Sequence, residues 1–334
     1  MSHSRLFAVA SSVVLALASS TGQASAGPQA DSPDYTADGR LPLAELYAGI
    51  DKAVGAGWRS ERVFTYPGPS GASIRAWRTP RTGPALWLVS GMHGEEPAGP
   101  NAIARQITTV QRLSDAGIPV VLIPVSNPSG YRNNWRYPNT PERDWRKGGG
   151  YSVGDSEYLL PDLASGKTAR QAKAPGPETA ALTAYALQTA KTYPPLLVLD
   201  LHEDELSVDG GYIYSQGAQA DGNPVGAEVI RALQSAGITL RMDGKTRFGE
   251  PIVQGVISRD DQGLAIRDGS IDELLSAKEV FIAGSRQPGP GAKTVIVVET
   301  PADSSVSFEQ RVAGHAEVLK RLESLWRLNQ AITD

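Results

Sequence analysis

Four short apolar runs limit what this chain can fold into more than any other feature: Ala85–Val89 (ALWLV), Val120–Val125 (VVLIPV), Leu196–Leu201 (LLVLDL) and Thr294–Val298 (TVIVV). None shows the strict polar–apolar alternation of a strand with one wet face. Runs of this kind belong to strands covered on both faces. Between them, helical spacing predicts helices over Pro100–Leu113, Glu178–Lys191 and Pro224–Gly237, with a short helix before them at Leu41–Ala56 and a long amphipathic closing helix at Phe308–Leu328. Arg62–Thr79 reads as a hairpin: Val63–Tyr66, a Pro-Gly-Pro-Ser-Gly turn, then Ala72–Trp77. Buried strands alternating with helices imply an α/β fold, a single domain with a mixed, mostly parallel twisted sheet and helices on both faces. No internal repeat and no linker divides it.

The first residues read as an address. Met1–Arg5 carries one Arg, Leu6–Ala18 is apolar apart from two serines, and Ala24-Ser25-Ala26 is a small-x-small cleavage pattern. The sequence therefore predicts a signal peptide over 1–26, a flexible leader over 27–40 and a catalytic domain over 41–334, in a secreted or periplasmic protein. The apolar run is shorter than the roughly 20 residues of a membrane span. With no Cys in 334 residues, thiolate metal sites, iron–sulfur clusters and a cysteine nucleophile are excluded. A net charge of −4 argues against a non-specific nucleic-acid binder, which draws its affinity from neutralising phosphates.

In parallel sheets, ligands bind outside the carboxyl ends of the strands. Three of the predicted strands end in chemically capable residues. ALWLV is followed by Ser-Gly-Met-His93-Gly-Glu-Glu96, LLVLDL by His202, and TVIVV by Glu299. Of the four histidines, His3 lies in the signal peptide and His315 on the closing helix. His93 and Glu96, three apart in a Gly-flanked turn, can present an imidazole and a carboxylate on one side. With His202 they make a His₂Glu set, and three protein ligands with one open position is the composition of a catalytic zinc site.

These pieces, with Asn127–Tyr131 (NPSGY), Arg143–Lys147 (RDWRK), Asp200–His202 (DLH) and Val295–Pro301 (VIVVETP), resemble the zinc carboxypeptidase family in order and rough spacing, from about Ala85 to Pro301. The resemblance implies one Zn²⁺ held by His93, Glu96 and His202, Glu299 as general base and acid, and Arg146 as the group that polarises the scissile carbonyl. The chemistry of the residues agrees. Zinc lowers the pKa of a bound water toward neutrality, a nearby carboxylate can take the proton, and a guanidinium can stabilise the oxyanion.

One stretch departs from the family pattern. Classical members carry an Asp-x-Asn-Arg run whose Arg clamps the substrate's terminal carboxylate; here the corresponding residues are Gly154-Asp155-Ser156-Glu157-Tyr158. Asp155 survives as a residue that can orient His93. Glu157 is placed to face a cationic group, and Arg132 and Arg136 are candidate substitute clamps. The substrate is expected to be a peptide or small amide. Deacylation of the type carried out by the related aspartoacylase and succinylglutamate desuccinylase branch, and a non-catalytic binding protein on the same fold, remain open alternatives. The Gly150-Tyr-Ser152-Val-Gly154 pattern matches a serine nucleophile elbow but lacks the strand before it and the helix after it that the mechanism needs. Glu203, Asp204 and Glu205 read either as an amine-attracting patch or as a solvated acidic turn. Trp135, Tyr137 and Trp145 are candidate pocket residues. Gly210–Gly291, with its Gly and Pro, is expected to supply mobile loops and the specificity pocket, and Gly284–Gly291 is a candidate lid.

Overall fold

The computed structural model describes residues 34–67, 71–137, 161–162, 167–168, 176–204, 210–217, 220, 222–246, 249–259, 270–282, 285–303 and 305–333. In chain order the elements are α1 (Leu43–Val54), β1 (Arg59–Thr65), β2 (Ser73–Arg78), β3 (Ala85–Ser90), α2 (Ala98–Asp115), β4 (Val120–Ile123) and α3 (Pro128–Asn133). Then come β5 (Pro161–Asp162), β6 (Lys167–Thr168), α4 (Pro177–Ala190), β7 (Pro195–Asp204), β8 (Tyr212–Gly217) and α5 (Pro224–Ser235). The remainder comprises β9 (Asp243–Lys245), β10 (Pro251–Val253), β11 (Val256–Arg259), α6 (Ile271–Ser276), β12 (Glu279–Ile282), β13 (Ser285–Pro288), β14 (Thr294–Pro301), α7 (Phe308–Lys320) and α8 (Leu322–Ala331).

Ten strands form one mixed sheet in the order β1-β2-β4-β3-β7-β14-β8-β11-β10-β9. Its centre, β4-β3-β7-β14, is parallel throughout. The expected α/β architecture is therefore present, and the four apolar runs are the four central strands. Each β3 residue is buried, including Trp87, whose indole N–H donates to the Tyr193 carbonyl at 2.9 Å. Helices α1, α2, α7, α8 and α5 pack on one another on one side, while α4 packs on α6 on the other. This double cover is why the central strands have no wet face.

Parallel pairing lines up the carboxyl ends of β3, β7 and β14 at one edge of the sheet. Ser90 pairs with Leu201, and His202 with Glu299. Gly99, in the first turn of α2, lets the helix lie directly on β7. A Cβ there would sit 2.4 Å from Ser90 Oγ and 2.8 Å from Leu201 Cβ.

Three differences from the sequence reading have physical causes. β7 runs on to Asp204, so His202 and Glu203 are strand residues rather than the start of a loop. The closing helix divides at Arg321, whose N–H bonds the carbonyl three residues back and turns the chain from α7 into α8. Gly210–Gly291, expected from its Gly and Pro to supply mobile loops around the predicted helix Pro224–Gly237, holds that helix as α5 and also β8 to β13 and α6. Of the candidate lid, residues 285–288 form β13, which pairs with β12 in a hairpin. Among the described residues no helix is long and apolar enough to cross a membrane.

Candidate metal centre

His93 follows β3 in the loop before α2, Glu96 ends that loop, and His202 is the eighth residue of β7. One ligand atom from each lies within 4.8 Å of the others. Glu96 is the hub. Its Oε1 lies 2.7 Å from His93 Nδ1, its Oε2 lies 3.0 Å from His202 Nδ1, and the Glu203 N–H donates to Oε2 at 3.2 Å. The two imidazole centroids are 5.1 Å apart. Gly94 is what lets the loop take this path. A Cβ there would meet the Gly130 carbonyl carbon at 2.0 Å and the Trp135 carbonyl oxygen at 2.3 Å, so the loop backbone lies directly on α3 and the turn after it.

The electrostatics favour charge at the hub. Burial opposes ionisation of Glu96, but His93, His202 and Arg136 outweigh it and hold the carboxyl well below its usual range. Burial likewise opposes charge on His202, yet Asp200 and Glu96 raise its pKa well above that of free imidazole. Asp200 is completely buried, and its Oδ1 lies 3.2 Å from His202 Nε2. Nε2 thus faces Asp200 and Nδ1 faces Glu96, the kind of carboxylate–histidine arrangement that orients metal-ligating imidazoles. Asp200 was not singled out in the sequence analysis. The available signal was the D-x-H spacing, which on a strand puts residues i and i+2 on one face.

Glu299 stands beside His202 in the β14–β7 register and opposite Tyr212 on β8. Burial, reinforced by Glu96 and Asp204 against the pull of His202 and Arg136, pushes its carboxyl up to about 8. A divalent cation nearby would act in the opposite direction and favour the carboxylate.

Arg136 donates from Nη1 to Glu95 Oε1 at 2.9 Å and to Glu96 Oε1 at 2.8 Å, so this candidate clamp touches the candidate metal group. Its partner Glu95 was not singled out in the sequence. Arg132 donates from Nε to Asp34 Oδ1, and its carbonyl accepts from the Tyr35 N–H at 2.8 Å. Tyr137 lies 6.4 Å from His93, ring centre to ring centre and edge-on. Arg146, Asp155, Glu157, Ser152, Trp145 and Glu205 lie outside the described residues.

Glu203 is buried and is no solvated turn. Its Oε1 accepts from the Ala98 N–H at the start of α2 at 2.6 Å, and its Oε2 pairs with Arg311 of α7. Burial, opposed by Arg311 and the Ala98 N–H, leaves its pKa raised to about 7. Glu203 thus ties α2 and α7 to β7 directly behind the metal group. A cavity of about 180 Å³ adjoins this corner, lined among others by Glu95, Glu96, Glu203, Arg311, Tyr35 and Asp38.

No family model matches the chain, and no curated protein matches it in sequence. Solved structures do. A Shewanella baltica protein assigned to the metallopeptidases superposes with a TM-score of 0.62 at 19% identity, over 85% of this chain and 92% of that one. The carboxypeptidase A of Helicoverpa armigera gives 0.55 at 15% identity, over 88% and 74%. The fold is zinc-carboxypeptidase-like. A Pseudomonas aeruginosa metallo-carboxypeptidase solved with (2-guanidinoethylmercapto)succinic acid has the same carboxypeptidase-like fold at a TM-score of 0.50 and 16% identity, over 87% of this chain and 70% of that one. On that fold, the His93–Glu96–His202 group could hold a metal ion.

The donor set fits such an ion on its own chemistry. Two imidazoles and a carboxylate converge through atoms that can each offer a lone pair. The remaining nitrogen of His202 is already engaged by a buried carboxylate. Metal ligands of this kind bind through deprotonated atoms, so a cation would replace the contacts that Glu96 now makes with the two imidazoles.

Proposed function

We propose that this protein is a secreted, zinc-dependent metallopeptidase of the carboxypeptidase type, acting on a peptide or small amide. The observation that carries the reading is the convergence of His93, Glu96 and His202, with Glu299 next to His202 across the β14–β7 ladder. Zinc held by the three ligands supplies Lewis acidity and brings the pKa of a ligated water toward neutrality.

The chain's own residues do the rest. Asp200 holds the His202 imidazole in the tautomer that frees Nδ1. Glu299 takes a proton from the attacking water and returns it to the leaving amine, a role that requires the carboxylate to be ionised at the start. Arg146 stabilises the developing oxyanion. Asp155 orients His93. Arg136, the described guanidinium in contact with the metal group, takes an anionic group of the substrate in place of the missing Asn-Arg clamp. Arg132, paired with Asp34, and Glu157 are secondary candidates for binding substrate.

Glu299→Gln tests this directly. The variant keeps the shape of the side chain and removes its proton acceptor, so it should retain the metal and lose turnover on amide substrates ending in free or blocked carboxylates. Undiminished turnover would remove Glu299 from the mechanism. Turnover by N-acyl amino acids alone would favour the deacylase reading instead.

A further inference from the structure

Arg40 lies just ahead of α1, at the end of a segment whose composition predicts a loose leader. It is instead among the most enclosed cations of the described chain, with its side chain 0% exposed. All five guanidinium N–H groups have acceptors. Nη1 donates to the Gly94 carbonyl at 2.6 Å and to the Tyr131 carbonyl at 2.7 Å. Nη2 donates to Asn134 Oδ1 at 2.8 Å and to Asp38 Oδ2 at 2.5 Å, and Nε is shared between the two Asp38 oxygens at 3.0 and 2.9 Å. The guanidinium lies 5.0 Å from the Tyr131 ring centre and 5.1 Å from that of Tyr35.

These acceptors are not scattered. Gly94 stands between His93 and Glu96, so its carbonyl belongs to the loop that carries two of the three candidate ligands. Tyr131 and Asn134 belong to α3 and its end, the segment that leads into Arg136. Asn134 holds a left-handed backbone, φ 56°, and closes the helix there. The Gly94 N–H in turn donates to the Arg136 carbonyl at 3.4 Å, and Asn127 Nδ2 donates to the same carbonyl at 3.0 Å. Nη1 alone joins one carbonyl from each segment while Nη2 and Nε hold Asn134 and Asp38 at the same time; an ammonium, with three donors on one nitrogen, cannot make all of these bonds at once. From the other side, the Ala98 N–H bond to Glu203 holds the end of the same loop.

We propose that Arg40 is a positioning residue for the metal-binding loop, its guanidinium fixing the Gly94 carbonyl against α3 so that His93 and Glu96 are set for the ion. The inference rests on the metal reading of the His93–Glu96–His202 group. It makes residues 34–40 part of the centre rather than a spacer, and their Tyr35 and Asp38 line the cavity beside Glu95 and Glu96.

The test is zinc affinity, measured by competition with a chromophoric chelator at a temperature where circular dichroism shows the metal-free protein folded. Arg40→Lys keeps the charge but loses the fork, and should weaken zinc binding by about tenfold, as loss of a group that orients ligands does. A merely structural Arg40 would lower the thermal midpoint of the metal-free and zinc-loaded forms alike and leave zinc affinity within threefold of wild type; that result overturns the proposal. Should Arg40→Lys not fold without metal, Asn134→Gly decides. It permits the left-handed backbone while removing one acceptor of the fork. Zinc affinity down by more than threefold supports the proposal, and a smaller change overturns it. A wild-type protein that binds no zinc overturns the metal reading itself, and this inference with it.

Discussion

Asp200→Asn is the most informative single change around the centre. The carboxylate is fully buried in the middle of the parallel sheet, 3.2 Å from His202 Nε2, and its strand partners are Val89 and Val297. Asparagine keeps the volume and can still accept from Nε2–H through its Oδ1, so the fold and the tautomer are conserved while the negative charge is lost. What changes is the basicity of Nδ1, the nitrogen that faces Glu96. Loss of such an outer partner typically costs 10- to 100-fold in metal affinity, or about 1.4–2.7 kcal/mol. Asp200→Ala additionally removes the oxygen that faces Nε2, so the expected order of zinc affinity is wild type, then Asn, then Ala. Chelator competition at neutral pH reads all three. Because Asp200 and Glu96 raise the pKa of His202, a proton competes with the metal for this ligand, and wild-type affinity should also fall as pH is lowered, with proton release on binding. An Asn variant that binds zinc as tightly as wild type would refute the role assigned to Asp200.

Other predictions concern residues nearby. His315 is fully buried on α7, its Nε2 3.1 Å from Thr300 Oγ1, and burial lowers its pKa to about 3. The unfolded chain takes up that proton near pH 6.5, so this contribution to stability is complete above pH 6.5 and is lost as pH falls toward 3, amounting to about 4–5 kcal/mol at most. Urea unfolding of wild type and His315→Gln between pH 7 and 4 should show a shallower acid decline in the variant, and parallel curves would contradict it. Arg146→Ala should lower kcat by about 10² or more with the metal retained; an unchanged rate would exclude it as the oxyanion group. Trp87→Ala, which empties a completely buried position in β3, should cost about 3–5 kcal/mol in equilibrium unfolding, and a loss below 1 kcal/mol would show that β3 is not the packed centre.

The central sheet was legible because four runs of apolar residues read as covered strands, and the meeting of His93, Glu96 and His202 was legible because parallel strands bring their ends together. His93 with Glu96, His202 and Glu299 come from three segments far apart in sequence but stand at the same edge for that reason alone. Other features were hidden by the same physics. β9 and β10 have three residues each, too few for a period to show. β8, YIYSQG, carries polar residues that its neighbours bury, so its pattern resembles a loop. Glu203 reads as one acid in a polar run until Arg311, more than a hundred residues later, is seen to pair with it. Arg40 reads as a leader residue because, beyond its neighbour Asp38, its acceptors are two backbone carbonyls and an amide far along the chain, which leave no mark on the sequence. Asp200 could have been found, since D-x-H on a strand places both side chains on one face.

Metal content bears most directly on the whole account. The purified protein, dialysed against zinc and then against buffer, should retain one zinc per chain by elemental analysis, and His93→Ala and His202→Ala should each lose the metal and amide hydrolysis together. Full activity in either variant, or a wild-type chain that keeps no metal, would contradict it.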